Sequence, residues 1–374
     1  MLQNPEGEPI HSVKRHAILF LFVFLALCLA SVSRDGLAAQ KPSASSGRES
    51  REGERRRKEP PNLEYRSDPD ARDRDDKEQE GKPFRFGVEV DLVVLPTSVV
   101  DKEGNFVSGL KQEEFAVFEN KVQQPITYFG QIDMPISIGL VIDTSGSMRT
   151  KLPLVNQAAV QFLKLSNPED ETFLVSFNHE VNLVEDFTDD LDTIRDALDN
   201  MMVTGGTALY DAILLATQKA QKGSRQKHAL LIISDGEDRD SYYRLEEVLR
   251  IIQESNVQAY VVGFLTPEPE QGLFDVFSKN PQEKARGALQ KIAAETGAKA
   301  VFPKDISQLP TIMQSIAHEL RNQYHIGYIP TNAALDGTWR AIQMSLTGST
   351  TKNYRVRTRS GYFAKKKAPA KQAG

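Results

Sequence analysis

The chain is predicted to fold as a doubly wound α/β domain, in which a mostly parallel sheet has helices on both faces, together with a small β-sandwich formed by flanking N- and C-terminal strands. Two observations predict this fold. Between residues 134 and 322, short apolar runs alternate with stretches in which apolar residues recur every three or four positions. On both sides of that region the sequence has the period-two pattern and the turn residues of β-strands. Strand–helix alternation implies right-handed crossovers and hence a parallel sheet.

Residues 1–39 have the order of a secretory signal. Lys14 and Arg15 precede the apolar stretch 17–32, and the small residues Ala38 and Ala39 follow it. We therefore expect export to the periplasm, the cell envelope or the medium. An uncleaved membrane anchor is the alternative, because the apolar stretch is only slightly shorter than a spanning helix. The chain's single cysteine lies in this stretch, so internal disulfides and thiolate chemistry are excluded for the rest of the chain.

Two segments are predicted to be disordered. Residues 40–83 are rich in charged residues, Ser and Pro and almost lack aliphatic residues, so we interpret them as a charged linker. Residues 364–374 form a short basic tail among Ala and Pro. The formal net charge is −5 and no extended basic face is apparent, which argues against a nucleic-acid partner.

The flanking β segments, residues 84–133 and 323–363, are each too small to hold a core. We expect them to pack as one sandwich into which the α/β domain, residues 134–322, is inserted. The predicted strands of the sandwich are 84–94, 99–105, 115–121, 126–129, 324–328, 339–346 and 354–358.

The α/β domain is predicted from eleven segments. Its strands are expected at 136–142, 172–177, 229–233, 257–264 and 299–302, and its helices at 152–165, 191–202, 208–222, 243–254, 285–295 and 306–321. In such a sheet, ligands bind outside the carboxyl ends of the strands.

Oxygen-bearing side chains follow two of these strands. Asp143, Ser145 and Ser147 alternate as the chain leaves the first strand, and Asp235 follows the strand 229–233. Between them, Thr207 comes after two glycines at the start of a helix. All five are hard oxygen ligands, which suit Mg²⁺, with Mn²⁺ or Ca²⁺ as alternatives, and argue against a soft metal.

These residues resemble the von Willebrand factor A family, whose metal-ion-dependent adhesion site has the pattern D-x-S-x-S, then a Thr in a loop, then an Asp after a later strand. The resemblance covers residues 134–322, and the flanks resemble the acidobacterial VWFA-related proteins. It implies that Ser145 and Ser147 bind the ion directly, while Thr207, Asp143 and Asp235 bind it directly or through water.

The resemblance also implies a function. A vacant position on the metal would accept an acidic side chain of a protein partner, which is typical of adhesion or of the assembly of an envelope complex. In related domains this event moves the last helix, here residues 306–321. A rigid scaffold stabilised by the metal is the alternative, and the sequence leaves both open.

Two other interpretations were weighed. A Ser or Asp after a strand is often a helix N-cap, but capping does not explain all five positions together. A strand-end Asp is also found in metal-dependent phosphatases of the haloacid-dehalogenase type. Those enzymes need a second Asp two residues later, where this chain has Ser145. No nucleophile elbow is present, and the histidines have no spacing that indicates a catalytic base, so we predict that the protein is not an enzyme. Those histidines are His179, His228, His318 and His325.

The acidic residues that follow Asp235 are expected to be solvated or to contact the metal ligands. They are Glu237, Asp238 and Asp240.

Overall fold

The computed structural model describes residues 92–236, 238–265, 281–348 and 350–366. The predicted signal, linker, strand residues 84–91, Glu237 and the end of the basic tail lie outside these residues. None of the helices in the described part of the chain is long and apolar enough to span a membrane.

The α/β domain contains six strands and six helices among the described residues. The strands are β5 (Ile136–Asp143), β6 (Glu171–Phe177), β7 (Val181–Thr188), β8 (Lys227–Ser234), β9 (Val257–Gly263) and β10 (Ala300–Val301). The helices are α1 (Leu152–Lys164), α2 (Leu191–Asp199), α3 (Leu209–Ala220), α4 (Leu245–Glu254), α5 (Pro281–Glu295) and α6 (Leu309–Asn322). The strand order is β10-β9-β8-β5-β6-β7, and every neighbouring pair is parallel except β6 with β7.

Helices cover both faces of this sheet, as predicted. Helices α1, α2 and α6 pack on one face, where Phe162, Ile194 and Ile316 join the core. Helices α3, α4 and α5 cover the other face through residues such as Ile213 and Leu289. Strands β5 and β8 lie at the centre and are almost wholly buried, which is why their sequences are nearly continuous apolar runs.

The strand β7 was not predicted. It is an antiparallel edge strand whose residues are only half-buried or exposed, and its pairing with β6 is irregular. With polar residues such as Asn182 and Glu185 in a short segment, its apolar periodicity is too weak to detect. The structure also ends α2 at Asp199, earlier than expected, and reduces the last strand of the sheet to two residues.

The flanking segments form a β-sandwich of two four-stranded sheets. Their strands are β1 (Val93–Val100), β2 (Phe115–Glu119), β3 (Val122–Gln124), β4 (Ile126–Gly130), β11 (Tyr324–Tyr328), β12 (Trp339–Leu346), β13 (Arg355–Arg357) and β14 (Gly361–Phe363). The orders are β13-β1-β11-β4 and β14-β12-β2-β3, so each sheet combines N- and C-terminal strands. Leu95, Val117, Ile326 and Met344 share the core between them. The predicted sandwich is confirmed, with the short strands β3 and β14 added and with one continuous β1 where two strands were expected.

The α/β domain is inserted between two neighbouring strands of one sandwich sheet. Strand β4 precedes it and β11 follows it, and these strands pair with His325 opposite Gly130. Both ends of the insertion therefore lie side by side.

A buried carboxylate joins the last helix to the sandwich. Both carboxylate oxygens of Glu319 lie 2.8 Å from Nη2 of Arg357, and Ser98 Oγ donates to Oε1 at 2.9 Å. Within the α/β domain, Lys299 Nζ lies 3.2 Å from Oε2 and the Tyr260 hydroxyl donates to Oε1 at 3.1 Å. Burial favours the protonated acid, but Arg357 and Lys299 outweigh it and hold the pKa of Glu319 below its usual value.

Candidate metal centre

Adjacent central strands bring the first and last candidate ligands together. Strand β5 ends at Asp143, and its neighbour β8 ends at Ser234, one residue before Asp235. The Ser234 hydroxyl donates to Asp143 Oδ2 at 2.6 Å, and the backbone N–H of Ser145 donates to Oδ1 at 2.8 Å. Asp143 is therefore fixed in place at the carboxyl edge of the sheet, where a ligand site was expected.

Asp143 lies in an environment that disfavours its negative charge. Burial raises the pKa of its carboxyl above the usual value, the hydrogen bonds from Ser234 and Ser145 lower it in part, and the nearby charge of Asp235 raises it again. A cation between the two carboxylates would reverse this balance, because an opposite charge favours the ionised form.

Hydrogen bonds join the oxygens of the two serines and Asp235. Ser145 Oγ lies 3.1 Å from Ser147 Oγ, and Ser147 Oγ lies 2.7 Å from Asp235 Oδ1. Octahedral Mg²⁺ with bonds of about 2.1 Å separates neighbouring ligand oxygens by about 3.0 Å. The observed spacings match the edges of such an octahedron, so these residues fit a divalent ion in both chemistry and spacing.

Thr207 is presented by a tight glycine loop. Gly205 has a φ of +66°, and a Cβ at Gly206 would lie 1.8 Å from Oδ2 of Asp240. That carboxylate accepts a hydrogen bond from the backbone N–H of Thr207 at 2.8 Å. Only glycine leaves room for this contact, so the loop and Asp240 together fix the position of Thr207.

The Thr207 hydroxyl and Asp143 border the same space. A Cβ at Gly236 would lie 3.4 Å from Thr207 Oγ1 and 3.8 Å from Asp143 Oδ2. The structure thus brings all five sequence-predicted residues to one edge of the sheet: one at the end of β5, two from the loop after it, one from the loop before α3 and one after β8.

Lys151 is part of the site and was missed from the sequence. Its ammonium group forms an ion pair with Oδ2 of Asp235 and donates to the backbone carbonyl of Ser147 at 3.1 Å. The available signal was its position four residues after Ser147, which one helical turn brings back to the same edge.

The acidic loop after Asp235 is ordered by hydrogen bonds to α3. Asp238 accepts from the backbone N–H of Tyr210 at 3.2 Å and from the hydroxyl of Ser241, and Asp211 accepts from the backbone N–H of Tyr242 at 2.9 Å. Burial raises the pKa of Asp238 to about 6. Asp238 and Asp240 therefore hold the loop that carries Thr207.

The two site serines have no histidine beside them in the described part of the chain. Within the described residues, the Ser145 and Ser147 hydroxyls hydrogen-bond to each other, and Ser147 also bonds to Asp235. Neither hydroxyl bonds to a histidine there. In the same part of the chain no three His, Cys, Asp or Glu side chains cluster as metal ligands, so the candidate centre depends on its hydroxyl groups.

Comparisons with known proteins agree with this fold. The family model of the von Willebrand factor type A domain matches residues 137–315. An uncharacterized protein of Synechocystis sp. is 24% identical over 207 residues, which cover 52% of this chain and 47% of that protein. Inter-alpha-trypsin inhibitor heavy chain H4 of Bos taurus is 24% identical over 236 residues, which cover 58% of this chain and 24% of that protein. The chain thus spans less than half the length of either curated relative.

A solved structure is also similar. The vWF domain of the type V pili tip protein Mfa5 from Porphyromonas gingivalis is 21% identical, with a TM-score of 0.27, and the match covers 29% of this chain and 40% of that chain.

Proposed function

Since residues 137–315 of this chain form a von Willebrand factor type A domain, we propose that it binds a protein partner through a divalent metal ion, in adhesion or in the assembly of an envelope complex. The ion is Mg²⁺, with Mn²⁺ or Ca²⁺ as alternatives, and its ligands are Asp143, Ser145, Ser147, Thr207 and Asp235. Export follows from the signal-like N-terminus of the sequence and is part of the proposal.

The oxygen spacing in the row Ser145, Ser147 and Asp235 carries this proposal. Separations of 3.1 and 2.7 Å between successive oxygens suit one small ion contacting all three side chains. Helix capping provides no reason for two hydroxyls and a carboxylate from different loops to converge. The bound ion would supply a positive charge with an open coordination position.

The residues around the centre favour an acidic partner. Arg149 and Arg239 are exposed close to the ligands in sequence, and Met202, which is 82% exposed, follows α2 in the loop that leads to Thr207. Arg149 Nη2 lies 3.4 Å from the backbone carbonyl of Val203, the residue that follows Met202. Basic groups around an apolar side chain complement a carboxylate on an apolar surface.

Binding is proposed in preference to catalysis. A phosphatase of the haloacid-dehalogenase type needs a general acid at position 145, where the chain has a buried serine. A rigid scaffold stabilised by the metal remains the second candidate, and it differs from the proposal in having no partner at the open position.

The test uses the full chain and an array of peptides that carry Glu or Asp, with the matching Gln and Asn peptides as controls. We expect retention of acidic peptides in Mg²⁺, loss of retention in EDTA, and loss of retention in Ser145→Ala. Retention that is equal for acidic and amide peptides, or equal with and without the metal, would contradict the proposal.

A further inference from the structure

A second candidate site lies at the opposite end of the α/β sheet from the metal centre. A partly open cavity of about 510 Å³ lies between the amino ends of β8 and β9 and the sandwich strands β1, β4 and β11. On β11, Tyr324, Ile326 and Tyr328 face the sandwich core, so His325 between them faces the cavity. The volume of the cavity is within the range of small-molecule sites, and such sites are common between domains.

Two of the residues that line this cavity, Gln258 and His325, have buried polar atoms without a hydrogen-bond partner among the described residues. Gln258 is 4% exposed and His325 is 2% exposed. Within the described residues, neither the amide nitrogen and oxygen of Gln258 nor the two ring nitrogens of His325 make a hydrogen bond. A buried polar group without a hydrogen-bond partner destabilises the fold, so a molecule that completes these hydrogen bonds would be favoured here.

The cavity wall also carries two basic residues, Arg359 and Lys227, and neither donates a hydrogen bond to a carboxylate within the described part of the chain. Arg359 donates only to neutral oxygens, namely Gly361 O at 2.7 Å, Asn256 Oδ1 at 2.9 Å and Gln253 O at 3.4 Å. Lys227 is 5% exposed, and its Nζ donates to Leu320 O at 2.7 Å.

Neither Arg359 nor Lys227 forms an ion pair within the described residues. No Asp or Glu of the same residues lines the cavity. Burial, with a contribution from Arg321, lowers the pKa of Lys227 to about 7, as expected for an ammonium group without a direct counter-ion. A water molecule could satisfy one polar atom, but it would not balance the charge of Arg359. A carboxylate beside Lys227 would also favour the protonated form of that lysine.

The remaining wall is apolar. Leu92, Val94 and Pro96 line it from the start of the sandwich, and Met134, Tyr128 and Tyr362 complete it. A molecule that fills the cavity therefore needs an apolar body and an acidic end.

We propose that this cavity binds a small organic carboxylate. The apolar body packs against the sandwich strands, and the carboxylate is held by Arg359 and Lys227 with hydrogen bonds from Gln258 and His325. Because the walls come from both domains, such a ligand fastens the α/β domain to the sandwich. This site is separate from the metal centre and does not depend on it.

The test is calorimetric titration of the full chain in EDTA with 4-phenylbutyrate and octanoate, with neutral 4-phenylbutanamide as the comparison. We expect saturable binding of at least one carboxylate with a Kd below about 1 mM, and binding of the amide weaker by roughly tenfold or more. Because EDTA removes divalent metal ions, the outcome of this titration does not depend on whether the proposed metal site exists.

Two variants assign the binding to the cavity. Arg359→Gln and Gln258→Leu should each lower the affinity by roughly tenfold, while the surface control Gln343→Leu should not. In addition, Gln258→Leu without ligand should melt at or above the temperature of the wild type, because it removes an unsatisfied buried amide.

No saturable binding of either acid, equal binding of acid and amide, or unchanged affinity in both cavity variants would each overturn the proposal. The melting of Gln258→Leu shows whether a loss of affinity comes from unfolding, and a large drop in its melting temperature would also count against an unsatisfied amide.

Discussion

The ammonium group of Lys151 forms an ion pair with Asp235 through the carboxylate oxygen that does not accept the hydrogen bond from Ser147. Lys151 directly precedes α1 and Asp235 directly follows β8, so the pair connects two elements at the carboxyl edge of the sheet. A metal ion bound to Asp235 would neutralise the same carboxylate. The lysine and the ion would therefore compete, because two like charges in contact with one carboxylate repel each other.

Removal of the lysine should strengthen metal binding. In Lys151→Met we expect the affinity for Mg²⁺, measured by calorimetry, to rise by roughly threefold to tenfold, and the melting temperature without metal to fall. The control is Lys164→Met, at the exposed end of α1, which should change neither quantity. An affinity that stays equal or weakens in Lys151→Met would show that the two cations do not compete.

Metal binding should stabilise the folded chain by mass action. At a hundredfold excess of Mg²⁺ over its Kd, the free energy of unfolding should increase by about 3 kcal/mol, which raises the melting temperature. Asp143→Ala should abolish the increase, while Asp199→Ala at the exposed end of α2 should keep it. Identical melting of the wild type in EDTA and in millimolar Mg²⁺ would argue strongly against the centre.

The carboxylate of Glu319 should be essential to the junction of the two domains. In Glu319→Gln, Arg357 and Lys299 lose their buried counter-ion, so we expect the free energy of unfolding to fall by about 3–5 kcal/mol in urea titrations. Glu254→Gln, at the exposed end of α4, serves as the matched control and should change the free energy little. A loss as small as that of the control would mean that Glu319 contributes no more than a surface charge.

The same network limits how α6 can move. Glu319 holds the carboxyl end of α6 to the sandwich, so we expect hydrogen exchange of residues 316–322 to stay protected in Mg²⁺ when an acidic peptide is added. Any change in hydrogen exchange should lie nearer the amino end of α6. Loss of protection at 316–322 would instead support movement of the whole helix, which the family resemblance implies.

The pH dependence of stability should reveal Lys227. Burial and Arg321 lower its pKa in the folded chain to about 7, against attraction from Asp133, Glu319 and Asp170. The unfolded lysine has a pKa of about 10.4, so between about pH 7 and pH 10 the unfolded chain binds more protons, and the free energy of unfolding rises with pH. The free energy of unfolding of the wild type, minus that of Lys227→Met, should therefore increase from about pH 7 to about pH 9. A difference that is constant over this range would contradict the lowered pKa.

Much of the fold was predictable because its central strands are long apolar runs. Strands β5 and β8 could be read with little ambiguity, and the position of Asp143 at the end of one of them indicated where ligands converge. The edge strand β7 and the short β14 lack that periodicity, since they bury little apolar surface.

The candidate site was predictable in its residue types but not in its electrostatics. Alternate Ser residues after Asp143 indicate hard-oxygen ligands from spacing alone. The pairing of Lys151 with Asp235 depends on where α1 begins relative to β8, and the contact of Asp240 with Thr207 depends on Gly206 having no side chain. Both are tertiary relationships, which single-sequence patterns do not contain.

The insertion of the α/β domain between β4 and β11 dictates an order of folding. Strand β11 is the shared neighbour of β1 and β4, yet about 190 residues separate it from β4 along the chain. During synthesis from the amino end, β1 and β4 must wait unpaired until the whole insertion has been made. Closing that loop is entropically far less costly when the insertion has already folded and brought its two ends together. We therefore expect the α/β domain to fold before the sandwich closes, so that the pairing of β11 with β1 and β4 is a late step of folding.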